Sequence, residues 1–424
     1  MTDLYTLNYH HCLKYIDDIA DIQNHKVSQH HNSIKEIIQK NKKLHENQQL
    51  PLTNIAFQQN DISEIHEMAK QIKDNFTDLV IIGTGGSIVN PKLFIDLAYQ
   101  TKINADKINI HYLSNIDPNS IKYLTAKLQL KSTAFLIISK SGSTLETVSL
   151  TIYFIKIFMQ NASAKLIKNN FFFITDKNDS AINKIINQYN CRYLTHDNIG
   201  GRFSALSSVG LIAAAIIDCD IEAIRYGAQQ VINELFNVDD IAAIKVIESS
   251  FTSYQLLQNG FNIIVTMPYL DRLATLSSWH RQIWAESLGK NNIDTTIINA
   301  QGTIDQHSQL QLYLDGKKNK QFLFINCNNH ENNVNLGNDD MSHNMIIDEL
   351  DYLQNKSFGD ILNAAQLATL TTLSNNGCPI KELVISDTNE QSIGAILMHL
   401  MLEIIVMADL LKINPYDQPA VEQN

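Results

Sequence analysis

Lys and Arg form no long run in this sequence, and its 33 basic residues are outnumbered by 44 acidic ones, for a formal net charge of −11. That balance argues against holding nucleic acid or an anionic membrane through non-specific charge. It leaves room for an anion site built from local positive groups. No window approaches the ~18 uninterrupted apolar residues of a membrane span. The opening residues, MTDLYTLNYHH, have neither a basic start nor an apolar signal core, so the expected location is the cytoplasm. The five cysteines (Cys12, Cys191, Cys219, Cys327, Cys378) are odd in number, far apart and without CxxC spacing, as expected of reduced thiols. There is no HExxH, and no His/Cys set has zinc-finger spacing. The histidine pairs His10-His11 and His30-His31 therefore read as a polar helical face, and no metal site is expected. There is no internal repeat, no low-complexity linker, and no Pro or Gly cluster to mark a domain boundary.

At 424 residues, 44% hydrophobic and 18% charged, the chain can form about two or three domains with sizeable cores. Residues 1–75 are mostly polar with helical spacing (Ile34, Ile37, Ile38; Ile62, Ile65, Met68) and are expected to pack as a helical segment on the surface. Strand and helix signals then alternate through 76–200, with strands at 79–82, 107–113, 134–138, 171–174 and 192–194. Residues 201–250 read as a helical connection with a surface suited to dimer contacts. A second alternation fills 251–411, with strands at 262–266, 295–298, 322–326 and 383–386 and an apolar helix over 393–411. Residues 412–424 form an irregular tail. Such alternation predicts an α/β protein of two doubly wound parallel sheets. Ligands of such sheets sit beyond the carboxyl ends of the strands.

Two loops fall there. The strand over 134–138 ends in Ser139-Lys140-Ser141-Gly142-Ser143-Thr144, after which a helix pattern begins (Leu145, Val148, Ile152, Ile155, Met159). A strand handing over to a helix through small hydroxyl residues aims backbone N–H groups and the positive helix end at one spot, which suits a phosphate. Lys140 adds charge. The order is not that of a Walker loop, and Ser/Thr also cap helices for structural reasons. The other loop, Gly83-Thr84-Gly85-Gly86-Ser87, lets a ligand approach the backbone closely. Ile88 stands at the third glycine of GxGxxG and Asp96 comes too early for a ribose contact, so a dinucleotide site is weakly supported.

Three more segments carry chemistry-bearing residues. Gly200-Gly201-Arg202-Phe203-Ser204 places a cation beside flexible backbone. Glu286 lies in WHRQIWAESLGK, and a glutamate at the end of an aromatic helix, with Trp284 keeping water away, could act as a base. His307, in GTIDQHS, is a loop histidine able to carry a proton.

In order along the chain, GTGGS (83–87), SKSGSTLET (139–147), GGRFS (200–204), ESLGK (286–290), GTIDQHS (302–308) and DQPAVE (417–422) resemble the motifs of the glucose-6-phosphate isomerase family. The resemblance runs from about residue 80 to the end. It implies two sugar-isomerase (SIS) domains of flavodoxin-like topology, a homodimer, and interconversion of glucose 6-phosphate and fructose 6-phosphate through a cis-enediol, without metal or cofactor. It further implies that Ser139, Ser141, Ser143 and Thr144 hold the phosphate with Lys140 nearby, and that Gly86 and Ser87 line the sugar. Glu286 would be the base, Arg202 the positive group for the enediolate, and His307, from the partner subunit, a helper in ring opening. Gln418 would contact substrate. The chain departs from the family at Leu288 (usually Asn), Ile304-Asp305 (usually Asn-Gly) and Asn90 (usually Gly). The family's last motif also closes on a lysine, expected directly after Asn424. Two readings stay beside this one: an isomerase that also accepts mannose 6-phosphate, and a non-catalytic sugar-phosphate-binding SIS protein.

Overall fold

Ten strands form two five-stranded sheets among the residues that the structure, a computed structural model, describes: 3–16, 29–99, 108–161, 164–197, 199–237, 244–327, 329, 334–336, 352–353 and 355–421. The first sheet contains β2 (Asp78–Ile82), β3 (Asn109–Leu113), β4 (Thr133–Ile138), β5 (Phe171–Thr175) and β6 (Arg192–Thr195) in the order β3-β2-β4-β5-β6, all parallel. The second contains β7 (Ile263–Pro268), β8 (Thr296–Asn299), β9 (Lys320–Cys327) and β10 (Ile380–Ile385), likewise parallel. Its order is β8-β7-β9-β10, with β1 (Tyr5–Asn8) closing the edge. Numbered within each half, both sheets start 2-1-3-4, the flavodoxin-like order.

β4 shows why the strands were readable. All six of its residues are buried, as expected of a parallel strand covered on both faces. Its side chains divide by parity. Ala134, Leu136 and Ile138 join the large core shared by the two halves, while Phe135 and Ile137 face a second core with Phe154, Phe158, Phe171 and Phe173.

The N-terminal segment differs from the helical expectation. Tyr5–Asn8 is an antiparallel strand pairing with β10, Tyr5 opposite Ile385 and Asn8 opposite Glu382. Four residues are too few to show a period-2 pattern, and the free edge of β10 supplies the missing partner. The connection differs too. Within 201–250, α3 (Ser208–Ile216) buries all nine residues and is core, not a dimer surface.

The helices that position the site are α1 (Gly86–Tyr99), α2 (Leu145–Asn161), α3, α4 (Ile221–Asn237), α5 (Lys245–Gln258), α6 (Ala274–Leu288), α7 (Ile304–Ser308) and α8 (Glu390–Leu411). α8 is long and apolar enough to cross a membrane by length and composition, yet 89% of its most apolar window is buried inside the protein. Midway along it, Glu403 meets Lys381 of β10 at 2.7 Å, with Ser249 and Ser253 of α5 completing the hydrogen bonds. A buried charge pair of this kind needs such extra partners to offset desolvation.

α1 follows the first strand of the first half, and α6 follows the first strand of the second. They pack antiparallel. Gly85 lies beside Gln282, the Asn90 side chain accepts from Trp279, and Asp96 accepts from Thr275. The N-terminus of α1, at the carboxyl edge of the first sheet, is thereby set beside the C-terminus of α6.

Candidate functional site

The loops after β2 and β4 meet at the carboxyl edge of the first sheet, where its strand order reverses, the usual ligand crevice of such sheets. A cavity of about 340 Å³ opens there, lined by Thr84, Ser87, Ser139, Lys140, Ser141 and Thr144, with Asp176 and Asn178 on the far wall. Ser139 is buried and its hydroxyl accepts the Gly142 N–H at 3.1 Å. Gly142 has φ +66°, and a Cβ there would sit 2.1 Å from Ser180 Oγ, so the turn requires glycine. Ser141 Oγ accepts from the Ser143 N–H (3.2 Å) and hydroxyl (3.1 Å). Ser143 is exposed beside the cavity rather than on its wall. α2 begins directly after Thr144, whose carbonyl accepts the Val148 N–H at 2.9 Å. Lys140 lines the cavity, but its ammonium donates to the Ile199 carbonyl at 3.1 Å and so holds the approach to Gly200–Ser204.

Arg202 and Glu286, 84 residues apart, come together. Arg202 is 4% exposed. Its Nε donates to Ser287 Oγ (2.8 Å), Nη1 to Glu286 Oε2 (3.5 Å) and Nη2 to the Pro415 carbonyl (2.5 Å). Burial pulls its guanidinium below its ordinary value while Glu286 pushes it back up. It remains a fixed positive charge. The Glu286 carboxylate accepts from Gln282 Nε2 at Oε1 (2.7 Å) and from Gln418 Nε2 at Oε2 (2.5 Å). A carboxylate offers about four lone-pair directions, and these three donors leave room for one more contact.

The tail that brings Gln418 is clamped by Lys290, whose ammonium donates to the carbonyls of Asn414 (2.5 Å) and Asp417 (2.6 Å) and to Asp417 Oδ1 (2.6 Å). The hydrogen bond from Lys290 holds the Asp417 carboxyl below its ordinary value. Residues 422–424, the end of the last motif, lie outside the described residues.

Gly85, Gly86 and Ser87 connect the two clusters. A Cβ on Gly85 would lie 3.1 Å from Gln282 Nε2, and one on Gly86 would lie 2.1 Å from the Gly201 carbonyl oxygen. Ser87 lines the serine cavity. Two chain steps span at most about 7 Å, so the Glu286 cluster and the cavity are neighbours.

One expectation changes. Trp284 does not cover Glu286. Two residues apart on a helix is about 200° around it, and Trp284 is buried in the core with Nε1 donating to Thr295 Oγ1 at 3.1 Å. His307, expected from the partner subunit, does not join Glu286 within the chain. The start of α6 is tied to the carboxyl end of β8 by a Gln301–Asp271 bond of 2.6 Å, and its end to the residue before β8 by Trp284 and Thr295. Glu286 therefore lies toward the amino end of β8 and His307 beyond its carboxyl end, with α6 rising roughly 18 Å over the twelve residues that lead to Glu286. His307 is exposed on α7, and among the described residues no hydrogen bond or ion pair reaches its ring. Among the described residues, too, no group of three or more His, Cys, Asp or Glu side chains converges as a metal site.

Sequence reading missed Gln282, whose signal was its place one helical turn before Glu286 on the same face. It also missed the tail carbonyls that Arg202 and Lys290 hold, which no side-chain pattern announces.

Fold and site together define a phosphosugar-isomerase-like protein. The family model for phosphoglucose isomerase matches residues 58–424, and the chain belongs to that family. It is 31% identical over 350 residues to the glucose-6-phosphate isomerase of Methanocaldococcus jannaschii, covering 82% of this chain and 83% of that one. It is 29% identical over 366 residues to a probable glucose-6-phosphate isomerase of Methanococcus maripaludis, covering 85% and 78%. In fold it is similar to a hypothetical protein of Thermus thermophilus, with TM-score 0.83 and 24% identity over 99% of this chain and 97% of that one. It is likewise similar to a glucose-6-phosphate isomerase of Chlamydia trachomatis, with TM-score 0.78 and 18% identity over 100% and 87%.

Proposed function

We propose that this chain interconverts glucose 6-phosphate and fructose 6-phosphate, with Glu286 moving a proton between C2 and C1. What carries the reading is the Glu286–Arg202 pair, 3.5 Å apart and joined by Gly85–Ser87 to a hydroxyl-lined cavity. The phosphate sits at Ser139, Ser141 and Thr144 and fixes the substrate by its remote end, with Ser143 adding a donor at the rim. Gly86 and Ser87 let the sugar chain pass close to the backbone toward Glu286. Removing the proton beside a carbonyl builds negative charge on the enediolate oxygens, which a preorganised guanidinium stabilises strongly in a site closed to water. Gln282 and Gln418 aim the carboxylate.

His307 of the partner subunit completes the site in a homodimer. Two observations support this. His307 is too far from Glu286 of its own chain, and around it Ile304, Leu312, Phe358 and Leu367 are exposed. Phe358 and Leu367 belong to the helix that Gln306 bonds through the Ala365 carbonyl.

The test is conversion of fructose 6-phosphate by the wild type and by Glu286→Gln. Loss of the general base should lower kcat by about 10²–10⁴-fold, with fructose 6-phosphate binding measured by calorimetry nearly unchanged. Unaltered turnover removes Glu286 as the base. Tight binding without isomerisation by the wild type returns the chain to the sugar-phosphate-binding reading.

A further inference from the structure

Asn90 stands where the motif resemblance has glycine, and its side chain is completely buried. Burying an amide is costly unless its groups are paired. Here they are. Nδ2 donates to the Gly201 carbonyl (3.0 Å) and to Ser204 Oγ (2.9 Å), and Oδ1 accepts the Trp279 indole N–H (2.9 Å). The Ser204 hydroxyl sends its own proton to the Gly201 carbonyl (2.7 Å), which leaves its oxygen free to accept from Asn90. Ser204 and Trp279 are also fully buried. A satisfied buried network of this kind selects one geometry.

Its three elements are α1, the turn that carries Arg202, and α6. Gly201 is the residue before Arg202. Trp279 lies seven residues, or two helical turns, before Glu286, on the same face of α6. Asn90 therefore holds one anchor a single peptide from Arg202 and another two turns from Glu286. Gly86, one turn earlier on α1, presses on the same Gly201 carbonyl from a second side.

We propose that Asn90 is a positioning residue of the reaction, setting the Arg202 guanidinium against the Glu286 carboxylate by tying the Gly201 carbonyl to the Trp279 indole. The proposal rests on the isomerase reading above. Small misplacements of reacting groups are expensive, on the order of 10²-fold per ångström. A network that only stabilised the fold would alter melting temperature and not turnover per folded molecule.

The experiment measures kcat, KM for fructose 6-phosphate and melting temperature for Asn90→Ala, Trp279→Phe and Asn90→Ala in an Arg202→Ala background. Asn90→Ala should lower kcat by roughly 10–100-fold and leave KM within about twofold. Trp279→Phe, which removes one bond of the three, should lower kcat less. In the Arg202→Ala background, Asn90→Ala should cost about twofold or less, because residues acting through one group are not additive. An unchanged kcat with a lowered melting temperature, or full additivity with Arg202→Ala, overturns the proposal. If Asn90→Ala does not fold, Ser204→Ala and Trp279→Phe carry the same comparison. Absence of isomerisation in the wild type would instead overturn the underlying reading, so the two failures are distinguishable.

Discussion

In the first sheet, the loops after β2 and β4 meet at the carboxyl edge and line a cavity with hydroxyl residues. In the second half, built in the same strand order, the groups neighbouring that cavity come from the opposite direction. They sit at the far end of α6 and on the tail clamped by Lys290. The cores differ as well. β4 and β5 pack on a cluster of phenylalanines, whereas β10 and α8 enclose Lys381, Glu403 and His399. In the proposed reaction a repeated fold serves two tasks: the first half holds the substrate and Glu286 of the second acts on it, with Arg202 on the turn after β6 set between them. The antiparallel pairing of α1 with α6 brings these tasks together.

The largest effect expected from this division is at Arg202. Arg202→Ala removes the fixed charge beside Glu286 and should lower kcat by about 10²–10³-fold, with KM moved only a few-fold. Steady-state kinetics with fructose 6-phosphate measures both. A raised KM with kcat intact would place Arg202 among the holding groups and erase the division.

Acid should separate the halves next. Burial pushes His280 and His399, in the second half, and His196, beyond β6, down to about 4. They are neutral when folded, while the unfolded chain takes up protons below the ordinary value of 6.5. Their contribution is complete above 6.5 and is lost as pH falls toward 4, by up to roughly 3 kcal/mol for each. Glu403 behaves differently. Burial opposes its charge, but Lys381 and His399 outweigh that and hold it at about 2, below its ordinary 4.5. Its contribution is present above 4.5 and drains only as pH falls toward 2. Amide exchange at pH 7 and pH 5 should show β10 and α8 losing protection more than β4. Equal loss in both halves would count against an acid-sensitive second core.

Gly86→Ala tests the boundary itself. The glycine belongs to the first half, yet its added Cβ would press on the carbonyl before Arg202. The expected signature is therefore that of the second half, kcat down about 10–100-fold with a smaller rise in KM. A pure KM effect would mean that the turn yields without moving Arg202.

The sequence made one half of this picture far easier to read than the other. β2, β4 and β5 are near-continuous apolar runs, ending at Gly83, Ser139 and Thr175-Asp176, and a buried parallel strand leaves that mark in any context. The serine loop, Arg202, Glu286 and Gln418 stood in recognisable motifs, and three of the four carry polar groups that pair locally or with the tail. What could not be read were couplings between distant elements: β1 against β10, Asn90 against Trp279, Trp279's neighbour Trp284 turned into the core, and α1 against α6. None leaves a local period, because the partner lies 179 or more residues away or on another face of the same helix. Asn90 is instructive here. In the sequence it is only a departure from the motif, and its three partners are what tie it to the site.

The smallest effect sharpens the comparison most, because it should appear in one constant alone. Ser141 Oγ lines the cavity and accepts from the Ser143 N–H and hydroxyl. Ser141→Ala leaves the backbone N–H groups in place and removes one hydroxyl from the phosphate. A hydrogen bond to a charged group contributes about 1.5–3 kcal/mol when fully formed, but this loop is partly open to water that can replace the hydroxyl. The expected loss is nearer 1 kcal/mol, or roughly fivefold. On the proposed reading the phosphate is held equally in the ground state and the transition state, so the loss belongs in KM, with kcat unchanged. A fall in kcat at constant KM would mean that the loop tightens as the enediolate forms, and the half assigned to holding the substrate would share in the chemistry.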